Sequence, residues 1–242
     1  PDTVFHCARL AGKTDRSRRA AAKRGYQANV RLRAIFENLP IPPTVVYCSG
    51  TLVYGNTSSI TNEEQTLSPI AYARAYEYAE RPFTGEAKGT ILDVRTARPA
   101  WILGSDSWFE YFFYRPALEL GFVPYYGDGR QQMSIISVED CAGQLLHVST
   151  HGSKGESYNL FGFAPISQLE FAGKIGGVLG LDVRKVDEKE LVKKHGKTVA
   201  EALTSNTPVK TMHTAWKASY KAVDHDLDLL ITNTVKVLEA RS

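Results

Sequence analysis

Residues 45–55 read Val-Val-Tyr-Cys-Ser-Gly-Thr-Leu-Val-Tyr-Gly, and residues 69–80 read Pro-Ile-Ala-Tyr-Ala-Arg-Ala-Tyr-Glu-Tyr-Ala-Glu. The first stretch begins with β-branched and aromatic residues, which is typical of a buried strand, and it then reaches the hydroxyls of Ser49 and Thr51. The second stretch follows Pro69 with a helical pattern that Tyr72 opens. This order predicts a strand, a polar loop and a helix, with hydroxyls where the strand ends and a phenol where the helix begins.

Composition narrows the class of protein. The 242 residues are 43% hydrophobic and 23% charged, with a net charge of +3. A charge this small for the length argues against a nucleic-acid-binding protein, although residues 9–33 are strongly basic. That basic run is most often a solvated helix face, and attraction of a phosphate or a dinucleotide is the alternative. No apolar run is long enough to span a bilayer, and no leader sequence is seen.

The cysteines also bear on the compartment. Cys7, Cys48 and Cys141 are odd in number and show no metal-binding spacing, so they are interpreted as buried small hydrophobes in a reducing, cytoplasmic compartment.

Strands and helices alternate along the chain. Strands are predicted at residues 3–8, 44–48, 90–98, 134–138 and 157–160, and helices at 17–37, 70–81, 109–120, 139–149 and 227–240. This alternation predicts an α/β fold: a Rossmann-like, mostly parallel sheet that lacks its first strands, with a small mixed α/β C-terminal part. Residues 1–104 are assigned to the nucleotide-binding portion. Residues 105–242 are assigned to a substrate-side region, from which about 134–160 returns to the sheet.

Several segments resemble, in order, those of the extended or atypical short-chain dehydrogenase/reductases, also called NAD-dependent epimerase/dehydratases. They are Asp2–Ala8, Asn29–Val30, Ser49–Gly55, Pro69–Glu80, Arg98–Gly104, Gly127–Arg130 and Ser137–Asp140. The resemblance covers roughly residues 2–180.

The resemblance implies a set of site residues. The catalytic group would be Tyr72, with Ser49 or Thr51 and Asn29. Cofactor contacts are expected from His6, Ala8, Tyr72, Arg98 and Pro99, and substrate contacts from Arg130 and Trp101. The implied cofactor is NAD or NADP, and the implied substrate is a sugar nucleotide or a small carbonyl compound. A homodimer is one expected assembly, and no metal is expected because no metal-ligand spacing is found.

The chain departs from the family pattern at three places. The Gly-rich turn that holds the cofactor pyrophosphate is not found, so we expect the sequence to be a fragment with weak dinucleotide binding. Tyr76 stands where the family has a lysine, whose charge lowers the pKa of the family tyrosine and holds the cofactor ribose. Gly50 stands where the family most often has its Ser/Thr, which leaves the choice between Ser49 and Thr51 open.

Two functions therefore remain open. The first is an NAD(P)-dependent oxidoreductase or epimerase/dehydratase-like enzyme in which Tyr72 moves a proton. The second is a non-catalytic NAD(P)-binding relative with a regulatory or structural role, in which Tyr72 is a packing residue of an aromatic helix.

Overall fold

The computed structural model describes residues 1–10, 12, 14–85 and 89–241. The strands are β1 (Thr3–His6), β2 (Thr44–Cys48), β3 (Asp93–Pro99), β4 (Trp101–Leu103), β5 (Val123–Tyr125), β6 (Gln132–Met133), β7 (Ile135–Ser137), β8 (Ser157–Leu160), β9 (Ile166–Ser167) and β10 (Val183–Lys185). The α-helices are α1 (Asp15–Glu37), α2 (Ala71–Thr84), α3 (Arg115–Leu120), α4 (Val138–His151), α5 (Gln168–Leu179), α6 (Glu188–His195), α7 (Lys197–Thr204), α8 (Thr214–Ser219) and α9 (Leu227–Glu239).

The main sheet is parallel and has the order β1-β2-β3-β8. At its centre Val45 of β2 pairs with Val4 on one side and with Val94 on the other. Parallel sheets need both faces covered, which is why β2 is a nearly continuous apolar run. The predicted α/β, Rossmann-like class is confirmed. Strand β8 comes from the 134–160 stretch that was expected to return to the sheet.

Helices cover both faces of this sheet. Val45 and Tyr47 point to the side of α1 and α2, where they pack with Leu32, Phe36 and Phe83. Val46, the residue between them, points to the opposite side, where the cluster includes Cys141 and Val148 of α4. The alternation follows from the two-residue period of a strand. It places α1 and α2 together on the face that carries the candidate site.

Small residues let α1 and α2 approach closely. A Cβ added at Gly25 of α1 would lie 3.2 Å from the Cβ of Ala79 in α2, which is tighter than ordinary van der Waals contact. Helix α1 begins with a capping box, in which the Thr14 hydroxyl accepts from the Ser17 backbone N–H and the Ser17 hydroxyl accepts from the Thr14 backbone N–H. These two bonds satisfy backbone N–H groups at the start of α1 and define where the helix begins.

The C-terminal part has a core of its own. Phe109, Phe113 and Phe171 are fully buried in its largest hydrophobic cluster. Three short strand pairs flank this core: parallel β4/β7, parallel β5/β10 and antiparallel β6/β9. The predicted mixed α/β character is therefore present. The predicted strand at 134–138 pairs with β4 and not with the main sheet.

Several predicted element limits are wrong. The first strand ends at His6 and not at residue 8, because the chain leaves the sheet edge there. The helix predicted over 109–120 is a π-helical segment, Glu110–Tyr114, followed by α3. Helix α2 continues to Thr84 with Pro82 inside it.

One of the cysteines also departs from expectation. Cys7 is exposed, not buried, because it lies just beyond the end of β1. A hydrogen bond from the Cys48 thiol lowers the pKa of Cys7 to about 7.

The loop after β2 depends on a glycine. Gly55 has φ +85°, and a Cβ there would overlap the Ser68 carbonyl oxygen. We expect Gly55→Ala to lower the free energy of unfolding by at least about 2 kcal/mol, since backbone strain and a steric clash add. Gly155→Ala is the matched control, because Gly155 has φ +81° with nothing within 4 Å of the added Cβ, and it should cost about 1 kcal/mol. Urea denaturation of the two variants measures the difference. Equal losses of unfolding free energy would contradict the prediction, because they would mean that Ser68 moves away from the added Cβ at no cost.

Candidate active site

A cavity of about 470 Å³ opens between α1 and α2 at the carboxyl ends of β1 and β2. Ligands of open parallel sheets bind outside the carboxyl ends of the strands. The polar residues that line the cavity are His6, Arg9, Arg18, Asn29, Tyr47, Tyr72, Tyr76 and Glu80. The remaining walls are small and apolar, and they include the predicted cofactor contact Ala8. The cavity therefore combines an apolar body with a few convergent polar groups, as small-molecule sites do.

Tyr72 lies in the first turn of α2 and lines the cavity. Its side chain is 37% exposed, so it is not a core tyrosine. Its ring is 6.5 Å from the ring of Tyr76, and the Arg18 guanidinium lies 5.3 Å from its centroid. Within the described part of the chain, no hydrogen bond joins the Tyr72 hydroxyl to Ser49 or Thr51. The phenol is thus available at the cavity without a fixed alcohol partner.

Ser49 follows β2 and is buried. Its hydroxyl donates a 2.9 Å hydrogen bond to Glu80 Oε1. Glu80, which is only 2% exposed, lies two helical turns after Tyr72 on the same face of α2. Burial raises the pKa of this carboxyl to about 7, and the Ser49 hydrogen bond and the charges of Arg98 and Arg9 oppose the rise. Ser49 is therefore linked to the cavity by its hydrogen bond to Glu80, whose carboxyl can hold a proton near neutral pH.

Thr51 is the first residue of a 3₁₀ turn, Thr51–Tyr54, and is buried. Ser49 and Thr51 do not share one face of a strand, because β2 has already ended at Cys48. Gly50 lies between them, and a Cβ there would be 3.4 Å from the Tyr76 hydroxyl. Of the two candidate alcohols, Ser49 is the one that the described residues show bonded to a residue lining the cavity, Glu80.

Asn29 of α1 is buried and joins both helices to the sheet. Its Nδ2 donates to the Tyr47 hydroxyl at 3.1 Å and to the Ala79 carbonyl at 2.8 Å. Since both amide protons are used, Asn29 Oδ1 is the acceptor for His6 Nε2 at 2.9 Å. His6 also stacks on Tyr47, with ring centroids 4.6 Å apart. This arrangement leaves His6 Nδ1 buried and without a partner in the described residues.

Tyr76 is buried and lies four residues after Tyr72, one turn further along the same face of α2. The Arg9 guanidinium lies over its ring, 3.9 Å from the centroid, and Arg9 Nη2 donates to the Ser49 carbonyl at 3.3 Å. Burial raises the pKa of Tyr76, so the phenol stays neutral, although the charge of Arg9 acts in the opposite direction. The positive charge beside this position therefore comes from Arg9, in the segment between β1 and α1.

Arg98 and Pro99 end β3 and are buried. Arg98 Nη1 donates to the Tyr54 hydroxyl at 2.7 Å, and that hydroxyl donates to Asn159 Oδ1 at 2.8 Å. Arg98 Nε is buried without a partner in the described residues. Neither residue lines the cavity, so their predicted cofactor contacts stay a prediction.

The two predicted substrate residues lie outside the cavity. Trp101 Nε1 donates to Thr207 Oγ1 at 3.2 Å, and its ring lies 5.0 Å from that of Trp108. Arg130 is exposed after a tight turn, where its backbone N–H donates to Asp128 Oδ1. Their roles toward a substrate also stay predictions.

The fold thus gathers part of the predicted set and adds residues that the sequence did not single out. His6, Ala8, Asn29 and Tyr72 share one cavity, and Ser49 is joined to it. The additions are Arg9, Arg18, Tyr47, Tyr76 as a stacking platform, and Glu80. The eight-residue spacing from Tyr72 to Glu80 could have indicated the carboxyl. Nothing local in the sequence could have indicated the stacking of Arg9 on Tyr76.

The model of the NAD dependent epimerase/dehydratase family matches residues 1–160. The chain therefore belongs to this family, and the resemblance drawn from its motifs is confirmed. No curated protein matches the chain. In the described residues, no helix is long and apolar enough to cross a membrane.

Solved structures share the fold. The dTDP-glucose 4,6-dehydratase DesIV from Streptomyces venezuelae, with NAD and TYD bound, has 23% identity and a TM-score of 0.76, covering 99% of this chain and 73% of that one. Human epimerase family protein SDR39U1 with NADPH has 17% identity and a TM-score of 0.80, covering 98% and 82%. UDP-glucuronic acid 4-epimerase from Bacillus cereus, with UDP-glucuronic acid and NAD, has 15% identity and a TM-score of 0.78, covering 100% and 76%. The predicted cofactor class, NAD or NADP, is that of the family and of these neighbours.

Glu80 should make stability depend on pH. A carboxyl whose pKa is raised from 4.5 to about 7 in the folded state stabilises the fold fully below pH 4.5 and loses that contribution as pH rises through 7. We expect the stability of the wild type, relative to Glu80→Gln, to fall by about 2 kcal/mol between pH 5 and pH 8. Urea denaturation across this range measures it. The exposed Glu239→Gln is the control and should follow the wild type, and a pH-independent Glu80→Gln difference would contradict the raised pKa.

Proposed function

We propose that this protein is an NAD(P)-dependent oxidoreductase or epimerase/dehydratase-type enzyme that acts on a carbonyl or hydroxyl group, with Tyr72 as its proton donor or acceptor. The observation that carries the proposal is the exposed phenol of Tyr72 in a cavity that also contains His6 and Asn29, in a chain of this family. The predicted substrates, a sugar nucleotide or a small carbonyl compound, both contain such a group. DesIV and the Bacillus cereus epimerase are named for sugar-nucleotide reactions, which supports the first.

The residues at the strand ends fit a nicotinamide cofactor in part. His6 and Ala8 line the cavity at the end of β1, and His6 Nδ1, buried and without a partner in the described residues, is a polar atom that a bound group would satisfy. Arg98, Pro99 and Tyr72 complete the set that would hold it. The chemistry that NAD(P) would supply there is donation or acceptance of the hydride. Tyr76 does not fit the role of the family lysine, because a neutral phenol cannot act by charge.

The residues of the chain would divide the proton chemistry. The Tyr72 phenol would give a proton to, or take one from, the reacting oxygen. With Glu80 ionised, the Ser49 hydroxyl donates to it and offers only its lone pairs elsewhere. With Glu80 protonated, the carboxyl can donate to Ser49, which frees the serine proton. Asn29 would hold His6 in the tautomer that carries its proton on Nε2.

A second candidate is a non-catalytic NAD(P)-binding relative with a regulatory or structural role. Two features favour it: the predicted replacement of the family lysine by Tyr76, and the absence, among the described residues, of a hydrogen bond from the Tyr72 hydroxyl to Ser49 or Thr51. Binding of NADPH without turnover of any sugar nucleotide or small carbonyl compound would support this candidate over the enzyme.

Removing the Tyr72 hydroxyl should separate the two candidates. General acid–base groups contribute about 10²- to 10⁴-fold, so Tyr72→Phe should lower kcat by at least about 100-fold, whereas the loss of one cofactor hydrogen bond should weaken NADPH binding by no more than about tenfold. NADPH consumption and NADPH fluorescence measure these two quantities. Tyr78→Phe is the matched control, because Tyr78 lies on the same helix with the same 37% exposure and does not line the cavity. Equal kcat in Tyr72→Phe and Tyr78→Phe would remove the catalytic assignment.

A further inference from the structure

The cavity between α1 and α2 has the shape of a site for a small, largely apolar molecule. Its volume of about 470 Å³ lies within the range of small-molecule sites. Most of the walls are made by short or aliphatic residues of the two helices, among them Ala21, Gly25, Ala28, Leu32, Ala75 and Ala79. A molecule that fills this space would bury apolar surface against both helices.

The charge around the cavity is positive. Arg9 and Arg18 both line it, whereas Glu80 is the only carboxylic acid among the described residues that do. Burial keeps the pKa of that carboxyl near 7, so it is only partly ionised at neutral pH. In the described part of the chain Arg9 forms no ion pair with a carboxylate. The cavity therefore favours a ligand that brings a negative charge with it.

Tyr76 holds Arg9 in place for such a charge. The guanidinium carbon lies 3.9 Å from the centroid of the Tyr76 ring, and Arg9 Nη2 donates a hydrogen bond to the Ser49 carbonyl. A guanidinium has five N–H donors in a planar fork that matches a carboxylate, so donors remain for a ligand. At the predicted position of the family lysine, this chain therefore has no ammonium group; the Tyr76 ring instead supports the guanidinium of Arg9.

We propose that this cavity binds a small organic carboxylate, with its apolar body between α1 and α2 and its carboxylate on Arg9. The inference deepens the proposed function, since it names the substrate class for the cavity that contains Tyr72. The binding itself requires neither a cofactor nor turnover, so it can be tested separately.

The direct test compares an acid with its neutral analogue. We expect 3-phenylpropionate to bind at least about tenfold more tightly than 3-phenylpropanamide in isothermal titration, because hydrogen bonds to charged groups are the stronger ones. Arg9→Met keeps an apolar side chain of similar length on Tyr76 and should abolish the preference for the acid. Arg9→Lys keeps the charge without the planar fork and should retain only part of it.

Variants of Tyr76 test the platform. Tyr76→Phe keeps the ring that holds Arg9, so the dissociation constant for 3-phenylpropionate should change by less than about twofold. Tyr76→Leu removes the ring and should weaken binding about fivefold. The wild-type comparison of acid and amide is decisive even if Tyr76→Leu does not fold.

Equal affinity for 3-phenylpropionate and 3-phenylpropanamide would overturn the inference, as would unchanged binding of the acid to Arg9→Met. If either of these results is found while Tyr72→Phe still loses kcat about 100-fold, the proposed enzymatic function stands, and only the assignment of a carboxylate substrate is removed. Selective, Arg9-dependent binding of the acid in a protein with no NAD(P)H-dependent turnover would support the site and remove the enzymatic proposal.

Discussion

The parallel pairing of β1 with β2, and of β2 with β3, brings three strand ends to one edge of the sheet. Everything at the candidate site depends on this pairing. It sets His6 and Ser49 at neighbouring strand ends, and it gives α1 and α2 a common apolar surface on which to pack. Because small residues let the two helices lie close together, the space that remains at their ends is bounded by backbone and short side chains. That space is the cavity, and the side chains that enter it come from residues far apart in the sequence.

The local elements could be predicted, because each rests on a short-range pattern. The apolar run of β2 indicated a strand covered on both faces, and the proline before Tyr72 indicated a helix start. What failed depended on tertiary packing. Cys7 is exposed because the chain leaves the sheet edge one residue earlier, and the π-helical segment at Glu110–Tyr114 lies in an aromatic core that no periodicity could specify. For the candidate site, the sequence indicated the residues that lie in family motifs, namely His6, Asn29, Ser49 and Tyr72. Arg9 was counted only as one charge of a basic run, since its position on Tyr76 exists only in the folded chain.

Tyr76 stands at the predicted position of the family lysine, where it supplies a neutral ring and not an ammonium group. The phenol is buried and neutral, and its ring supports the guanidinium of Arg9 at van der Waals distance. The positive charge beside Tyr76 comes from the segment after β1, where it also acts on Glu80. Glu80 in turn holds the hydroxyl of Ser49, so the alcohol, the carboxyl and the arginine form one connected set beneath Tyr72.

The most direct measurement follows the Tyr72 phenol itself. In protein labelled with ¹³C at tyrosine Cζ, assignment with Tyr72→Phe identifies its resonance, and NADP⁺ is then added. The resonance of Tyr72 should shift on binding while that of Tyr78 stays in place, since Tyr72 lines the cavity and Tyr78 does not. A Tyr72 resonance that does not move while NADP⁺ is demonstrably bound would contradict a role for this phenol at the reacting centre.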